Sequence, residues 1–182
     1  MNIKIKKFEE LNKIVPVLTY QRTLDENSIV VSHDRLLFSL NCLKYHVGYQ
    51  YNILTCISGV DFLQKEYRFS VVYDLLSLNY NLRLRVKLFV NEVTTVPSSI
   101  NVFINANWWE REIWDLYGIY FYNHTDLRRI LTDYGFEGNP MKKDFPLSGF
   151  LELKYDESKK RIVAEPLELT QEFRSFTFET PW

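Results

Sequence analysis

Apolar residues recur with two different periods over the first two thirds of the chain. Leu82, Leu84, Val86, Leu88 and Val90 alternate with Arg83, Arg85 and Lys87, the two-residue period of a strand buried on one face. Tyr67 to Tyr73 alternates in the same way, and Asn79-Tyr80-Asn81 supplies turn chemistry between the two runs, which predicts a β-hairpin. Ile29–Val31 and Ile53–Ile57 are two further short strand candidates. Leu36, Leu37, Leu40, Leu43 and Val47 fall at helical spacing, with Asp34 as the expected N-cap and Gly48 as the stop. An amphipathic stretch around Phe8–Leu18 predicts another helix, broken or kinked by Pro16. On a third helix, over 108–117, Trp109, Ile113, Leu116 and Tyr117 share one face, with Asn105 or Asn107 to cap it. Consecutive strands with helices segregated beside them specify the α+β class. The expectation is an antiparallel or mixed sheet of about four strands with helices packed on one side, over residues 1–125.

From Asp126 onward the periodicity collapses. Four of the six prolines and three of the six glycines fall in residues 126–182, together with nine aromatics from Tyr134 to Trp182. Disordered linkers are poor in aromatics because nothing buries them. A segment rich in both turn residues and aromatics reads as an extended C-terminal arm that finds its cover on another protein. Two local structures are expected inside it. One is a short helix over Leu127–Tyr134, capped by Asp126 and stopped at Gly135. The other is a small hairpin pairing Phe150–Tyr155 with Arg161–Ala164.

Composition narrows the function classes. With 182 residues, 46% hydrophobic and 25% charged, the chain has the make-up of a globular protein with a real core. Lys plus Arg number 22 against 23 Asp plus Glu, which argues against a dedicated nucleic-acid binder. Only two alanines (Ala106, Ala164) stand against thirteen Asn and twelve Lys, a bias that hints at an A+T-rich gene. No run approaches the ~18 apolar residues of a membrane span, and Met1 to Glu10 has neither an apolar signal core nor an arginine-rich transit pattern. Cys42 and Cys56 sit among apolar neighbours and read as small core hydrophobes. Two cysteines and three scattered histidines (His33, His46, His124) cannot make the four-ligand set of an iron–sulfur cluster or a structural zinc.

The densest polar stretch is Trp108 to Gly118. Glu110 and Glu112 point about 200° apart on a helix and cannot grip one reacting atom, whereas Arg111 and Asp115 are four apart and can pair. His124 with Asp126, and His33 beside Asp34, lack the spacing of a metal site. Gly135 to Pro140 lacks the Gly-Lys-Ser/Thr end of a phosphate loop. The Arg83, Arg85, Lys87 stripe reads as a solvated sheet face.

Ala106-Asn107-Trp108-Trp109-Glu110-Arg111-Glu112-Ile113-Trp114-Asp115-Leu116-Tyr117-Gly118 closely resembles the signature of the 30-kDa subunit family of NADH:ubiquinone oxidoreductase, respiratory complex I. The likeness continues through His124-Thr125-Asp126-Leu127-Arg128-Arg129, then Asp133, Gly135 and Gly138, then Lys143-Asp144-Phe145-Pro146-Leu147. The end, Glu165-Pro166 to Pro181-Trp182, looks like the mitochondrial branch. The resemblance implies a structural subunit of the peripheral arm, in its quinone-reducing part, at the matrix side of the mitochondrial inner membrane. Its implied partners are the large subunit that forms the quinone pocket and the small cluster-bearing subunit. It implies no cofactor on this chain, with FMN, iron–sulfur clusters, NADH and ubiquinone in other subunits, and an isolated chain without activity. Glu110, Arg111, Glu112, Trp114, Asp115, Gly118, His124, Asp126, Arg128, Arg129, Asp133, Gly135, Gly138, Lys143, Asp144 and Pro146 carry over as structural and interface positions, none catalytic. Two other readings stay open: the matching subunit of a related hydrogenase-type membrane complex, and a free-standing acid–base enzyme using Glu110, Glu112, His124 and Asp126.

Overall fold

A computed structural model describes residues 11–22, 26–180 and 182. Its main sheet has five strands: β1 (Val17–Arg22), β2 (Asn27–Val31), β3 (Ile53–Asp61), β4 (Phe69–Ser77) and β5 (Leu82–Val90). Their order is β1-β2-β5-β4-β3, mixed because β2 runs parallel to β5 while the other neighbours are antiparallel. The expected hairpin is β4–β5, closed by residues 78–81 with Asn81 at φ +46. Leu82, Leu84, Val86, Leu88 and Val90 are all buried, as the alternation requires. Full burial of each such side chain is worth about 1.5–3 kcal/mol.

Among the described residues, two helices and the end of a preceding one over 11–14, which contributes Leu11, complete the core. Leu36, Leu40 and Leu43 of α1 (Leu36–Tyr45) join Ala106 and Ile113 of α2 (Ala106–Tyr117) in one cluster with the inward residues of the sheet. Two short strands, β6 (Val96–Pro97) and β7 (Phe121–Tyr122), pair in parallel on either side of α2. The chain divides into two compact units, residues 1–143 and 144–182. The second carries the hairpin expected from sequence, β8 (Leu151–Asp156) with β9 (Arg161–Pro166).

The local departures have physical causes. The helix expected over Phe8–Leu18 overlaps β1 at Val17 and Leu18. The helix ends at Ile14, Pro16 stops it, and Val17–Arg22 pairs with β2 instead; Phe8–Glu10 lie outside the described residues. Asp34 does not cap α1, because a 3-10 turn over His33–Arg35 leads straight into the helix and no side chain caps either start. Val47 lies beyond the helix end and is exposed. Cys42 and Cys56 are both half-buried; Cys42 packs against the core as expected, whereas Cys56 does not. A register shift between Leu54 and Cys56 turns the Cys56 thiol toward Asp74, 3.5 Å away on the polar sheet face. Burial raises the pKa of both thiols, helped at Cys56 by Asp74.

Candidate functional site

The polar residues of α2 act in two directions. Glu110 faces inward from the stripe Ala106, Glu110, Ile113 and is fully buried. Its Oε1 accepts the Ser99 backbone N–H and hydroxyl at 2.7 Å each, and its Oε2 accepts the Ser98 hydroxyl at 2.6 Å. Burial raises the Glu110 pKa, and the serine donors oppose that rise without cancelling it. His124 lies 3.9 Å away with its side chain fully buried. Its Nδ1 accepts the Asp126 N–H at 3.0 Å, which assigns the ring proton to Nε2, 3.2 Å from the Asn107 carbonyl. This is a carboxyl–serine–imidazole cluster sealed from solvent, joining the strand side of the domain to α2. Glu112 is half-buried and does not converge with it.

One turn on, α2 grips the following chain by its backbone. Asp115, 1% exposed, accepts the N–H groups of Ile130, Leu131 and Thr132 at 3.2, 2.9 and 2.9 Å on Oδ2, and the Thr132 hydroxyl at 2.7 Å on Oδ1. Arg111, four residues earlier, donates to the carbonyls of Arg128 and Arg129 at 3.2 and 3.3 Å. An anion thus takes three amides while a cation takes the two carbonyls before them. This corrects two expectations. Arg111 and Asp115 do not pair with each other, and no helix forms over Leu127–Tyr134, because the amides that would build it are spent on Asp115. Burial alone would raise the Asp115 pKa, but the Thr132 hydroxyl and the three amides outweigh it and hold the carboxyl below its ordinary value.

The two arginines expected on one short helix differ sharply. Arg129 donates to Asp115 Oδ1 at 3.3 Å and to the Gly138 carbonyl at 3.0 Å. Arg128 pairs only at the surface, 3.0 Å from Asp126. Asn139 donates to the Asp115 carbonyl at 2.9 Å, and the Met141 N–H reaches the Leu116 carbonyl at 3.0 Å. The Lys143 N–H donates to Asp61 Oδ2 at 2.8 Å. Residues 126–143 are therefore stitched to α2 and β3 within the first unit. Trp114 packs against the core, Asp133 accepts the Tyr134 N–H at 2.8 Å, and Gly135 and Gly138 adopt positive φ. Within the second unit, Asp144 is exposed and the Pro146 carbonyl accepts the Gly149 N–H at 3.0 Å. The sequence did not show Glu110 and Asp115 as buried. For Glu110 the signal was present, a carboxylate in the apolar 106–110–113 stripe; for Asp115 no local signal exists.

Gly118 ends α2 at φ +77, and a Cβ there would meet Asn139 Oδ1 at 2.8 Å. Gly118→Ala is expected to destabilise the first unit by about 1–2 kcal/mol from the left-handed backbone alone, with more from displacing Asn139. A thermal melt of the variant beside the parent checks it, and an unchanged midpoint would refute it.

Among the described residues no group of three or more His, Cys, Asp or Glu could hold a metal ion, and no helix is long and apolar enough to cross a membrane. The family model for the respiratory-chain NADH dehydrogenase, 30 Kd subunit, matches residues 29–151. NADH-ubiquinone oxidoreductase subunit 9 of Reclinomonas americana is 55% identical over 157 residues, 86% of this chain and 77% of that protein. NADH dehydrogenase [ubiquinone] iron-sulfur protein 3 of Oryza sativa subsp. japonica is 55% identical over 147 residues, 80% of this chain and 77% of that protein. The name of that relative contains an iron–sulfur cluster, yet a cluster of four thiolates does not fit a chain with two cysteines, one of them turned toward a carboxylate. Among solved structures, a chain of the archaeal membrane-bound sulfane sulfur reductase shares the fold, with a TM-score of 0.69 at 20% identity over 80% of this chain and 87% of that one. With its signature helix set against the core by one face and more than half its length matched, the chain belongs to the 30-kDa subunit family of the respiratory-chain NADH dehydrogenase, and is a subunit of respiratory complex I.

Proposed function

We infer that this subunit is a non-catalytic scaffold in the quinone-reducing part of the peripheral arm. It sits at the matrix side of the mitochondrial inner membrane, held there by its neighbours. FMN, the clusters, NADH and ubiquinone belong to other subunits, and this chain contacts the large quinone-pocket subunit and the small cluster-bearing subunit. The carrying observation is the surface of the second unit. Leu153, Tyr155 and Ile162 of its hairpin are each more than 60% exposed, and Phe173, Phe178 and Trp182 stand at 89, 92 and 96%. A lone two-stranded hairpin is marginal in water, and exposed apolar area of this extent marks an interaction surface. The acid–base alternative has no support in geometry, because Glu110 and the His124 side chain are sealed from solvent.

Limited proteolysis tests the reading. In the free full-length chain, cleavage is expected first beyond Pro166, where the described residues form no helix or strand, while residues 26–143 survive. The same sites are expected to be protected in the assembled complex. Equal resistance of the tail in the free chain would overturn the scaffold-arm reading.

A further inference from the structure

The sheet face turned away from the two helices carries a groove of about 430 Å³ beneath the loop between β3 and β4. Val60 and Val72 give its floor carbon, and Phe62 and Phe89 stand along it. Three cations line it, Lys65, Arg85 and Lys87, against the single carboxylate of Asp74. That carboxylate is already used, 2.7 Å from Arg85 Nε, and Arg85 also reaches Glu26 at 2.6 Å. Lys65 and Lys87 are in a different position. Lys87 lies on the central strand between Val72 of β4 and Val30 of β2, and neither lysine has a carboxylate within ion-pair distance among the described residues. Lys65 is held above the groove by two rings, 4.0 Å from the Phe62 centroid and 5.8 Å from that of Phe89. Two cations without counter-charge, set beside apolar walls in a recess, ask for an anion attached to carbon surface.

We propose that this groove receives an acidic segment of a neighbouring complex I subunit, its carboxylates meeting Lys65 and Lys87 and its carbon lying on Phe62 and Phe89. The proposal rests on the scaffold reading above, since it needs the chain to work among other subunits. A free phosphate would leave the aromatic walls uncovered, and a bilayer surface cannot follow a recess under a loop. Charge complementarity of this kind steers and registers a partner more than it adds affinity.

The test labels lysines with a water-soluble acetylating reagent in three samples: free full-length chain, membrane-embedded complex and detergent-purified complex exchanged free of lipid. Lys65 and Lys87 are expected to label about tenfold less in both forms of the complex than in the free chain, as buried interface charges do. A zero-length carbodiimide cross-link should then join one of them to an Asp or Glu of another subunit. Lys87→Glu should lower retention of the subunit in salt-washed complex, and Lys87→Arg should restore it. Equal labelling in all samples overturns the proposal, as does protection that disappears with the lipid, which would make the cover a membrane. Co-purification of the chain is scored separately, so a failed groove stays distinguishable from a failed scaffold reading.

Discussion

Asp115→Ala is expected to lower the unfolding free energy of the first unit by about 3–4 kcal/mol. The carboxyl serves three backbone amides, a hydroxyl and the Arg129 guanidinium. Alanine leaves the three amides and the hydroxyl without this acceptor, while Arg129 keeps the Gly138 carbonyl, and each buried donor left unpaired costs about 1–3 kcal/mol. Part of that is recovered because residues 130–132 are only partly buried and water can reach them. The dependence on pH follows from the lowered pKa of Asp115. A carboxyl whose folded pKa is lowered contributes its full stability above its unfolded value, near pH ~4, and loses it as the pH falls through the folded one. Urea unfolding at neutral pH and at successively lower pH reads both effects as midpoint shifts at constant slope. A shift under about 1 kcal/mol at neutral pH would show that the amides do not depend on Asp115.

Glu110→Ala is expected to cost about 3–5 kcal/mol, since it empties a sealed site and strands three donors from Ser98 and Ser99. Glu110→Gln should cost less than about 1.5 kcal/mol, because its carbonyl still accepts from Ser99 and the Ser98 hydroxyl can turn to accept the new N–H. The sign with pH is opposite to that of Asp115. The Glu110 pKa is raised, so its contribution is complete below the ordinary glutamate value near pH ~4.3 and falls as the pH rises through the folded value. Glu110→Gln should therefore flatten the decline of stability on that side. A glutamine as damaging as alanine would mean that the charge, rather than the acceptor geometry, holds the site.

The sequence exposes those parts of this fold that repeat with a period. β5 and its partner β4 alternate so cleanly that strand, face and turn follow from side chains alone, and α1 declares its buried stripe of Leu36, Leu40 and Leu43. The parts that stay hidden depend on partners distant along the chain. β1 is six residues with five exposed, too short and too polar to show a pattern, and pairing with β2 is what makes it a strand. Leu127–Tyr134 has helix signals at both ends, but Asp115 competes for its amides from 15 to 17 residues away and wins. The burial of Glu110 is legible only by treating a charged residue in an apolar stripe as inward-facing, with Ser98 and Ser99 as the donors that make this possible. The burial of Asp115 leaves no local trace.

The grip of Arg111 and Asp115 on residues 128–132 falls mostly on main-chain N–H and C=O groups, with the Thr132 hydroxyl and the Arg129 guanidinium as the side-chain exceptions. Evolution can therefore change what this stretch displays without disturbing what anchors it. Leu131 and Tyr134 point outward and are free to drift with whatever surface they meet, since every residue except proline offers the same amide to the carboxylate. Along this loop, a lineage could exchange one neighbour for another by point mutation while the loop kept its course. The constraint is concentrated on two helix positions four residues apart, where even Arg111→Lys, the mildest exchange available, would give up the planar fork that reaches two carbonyls at once.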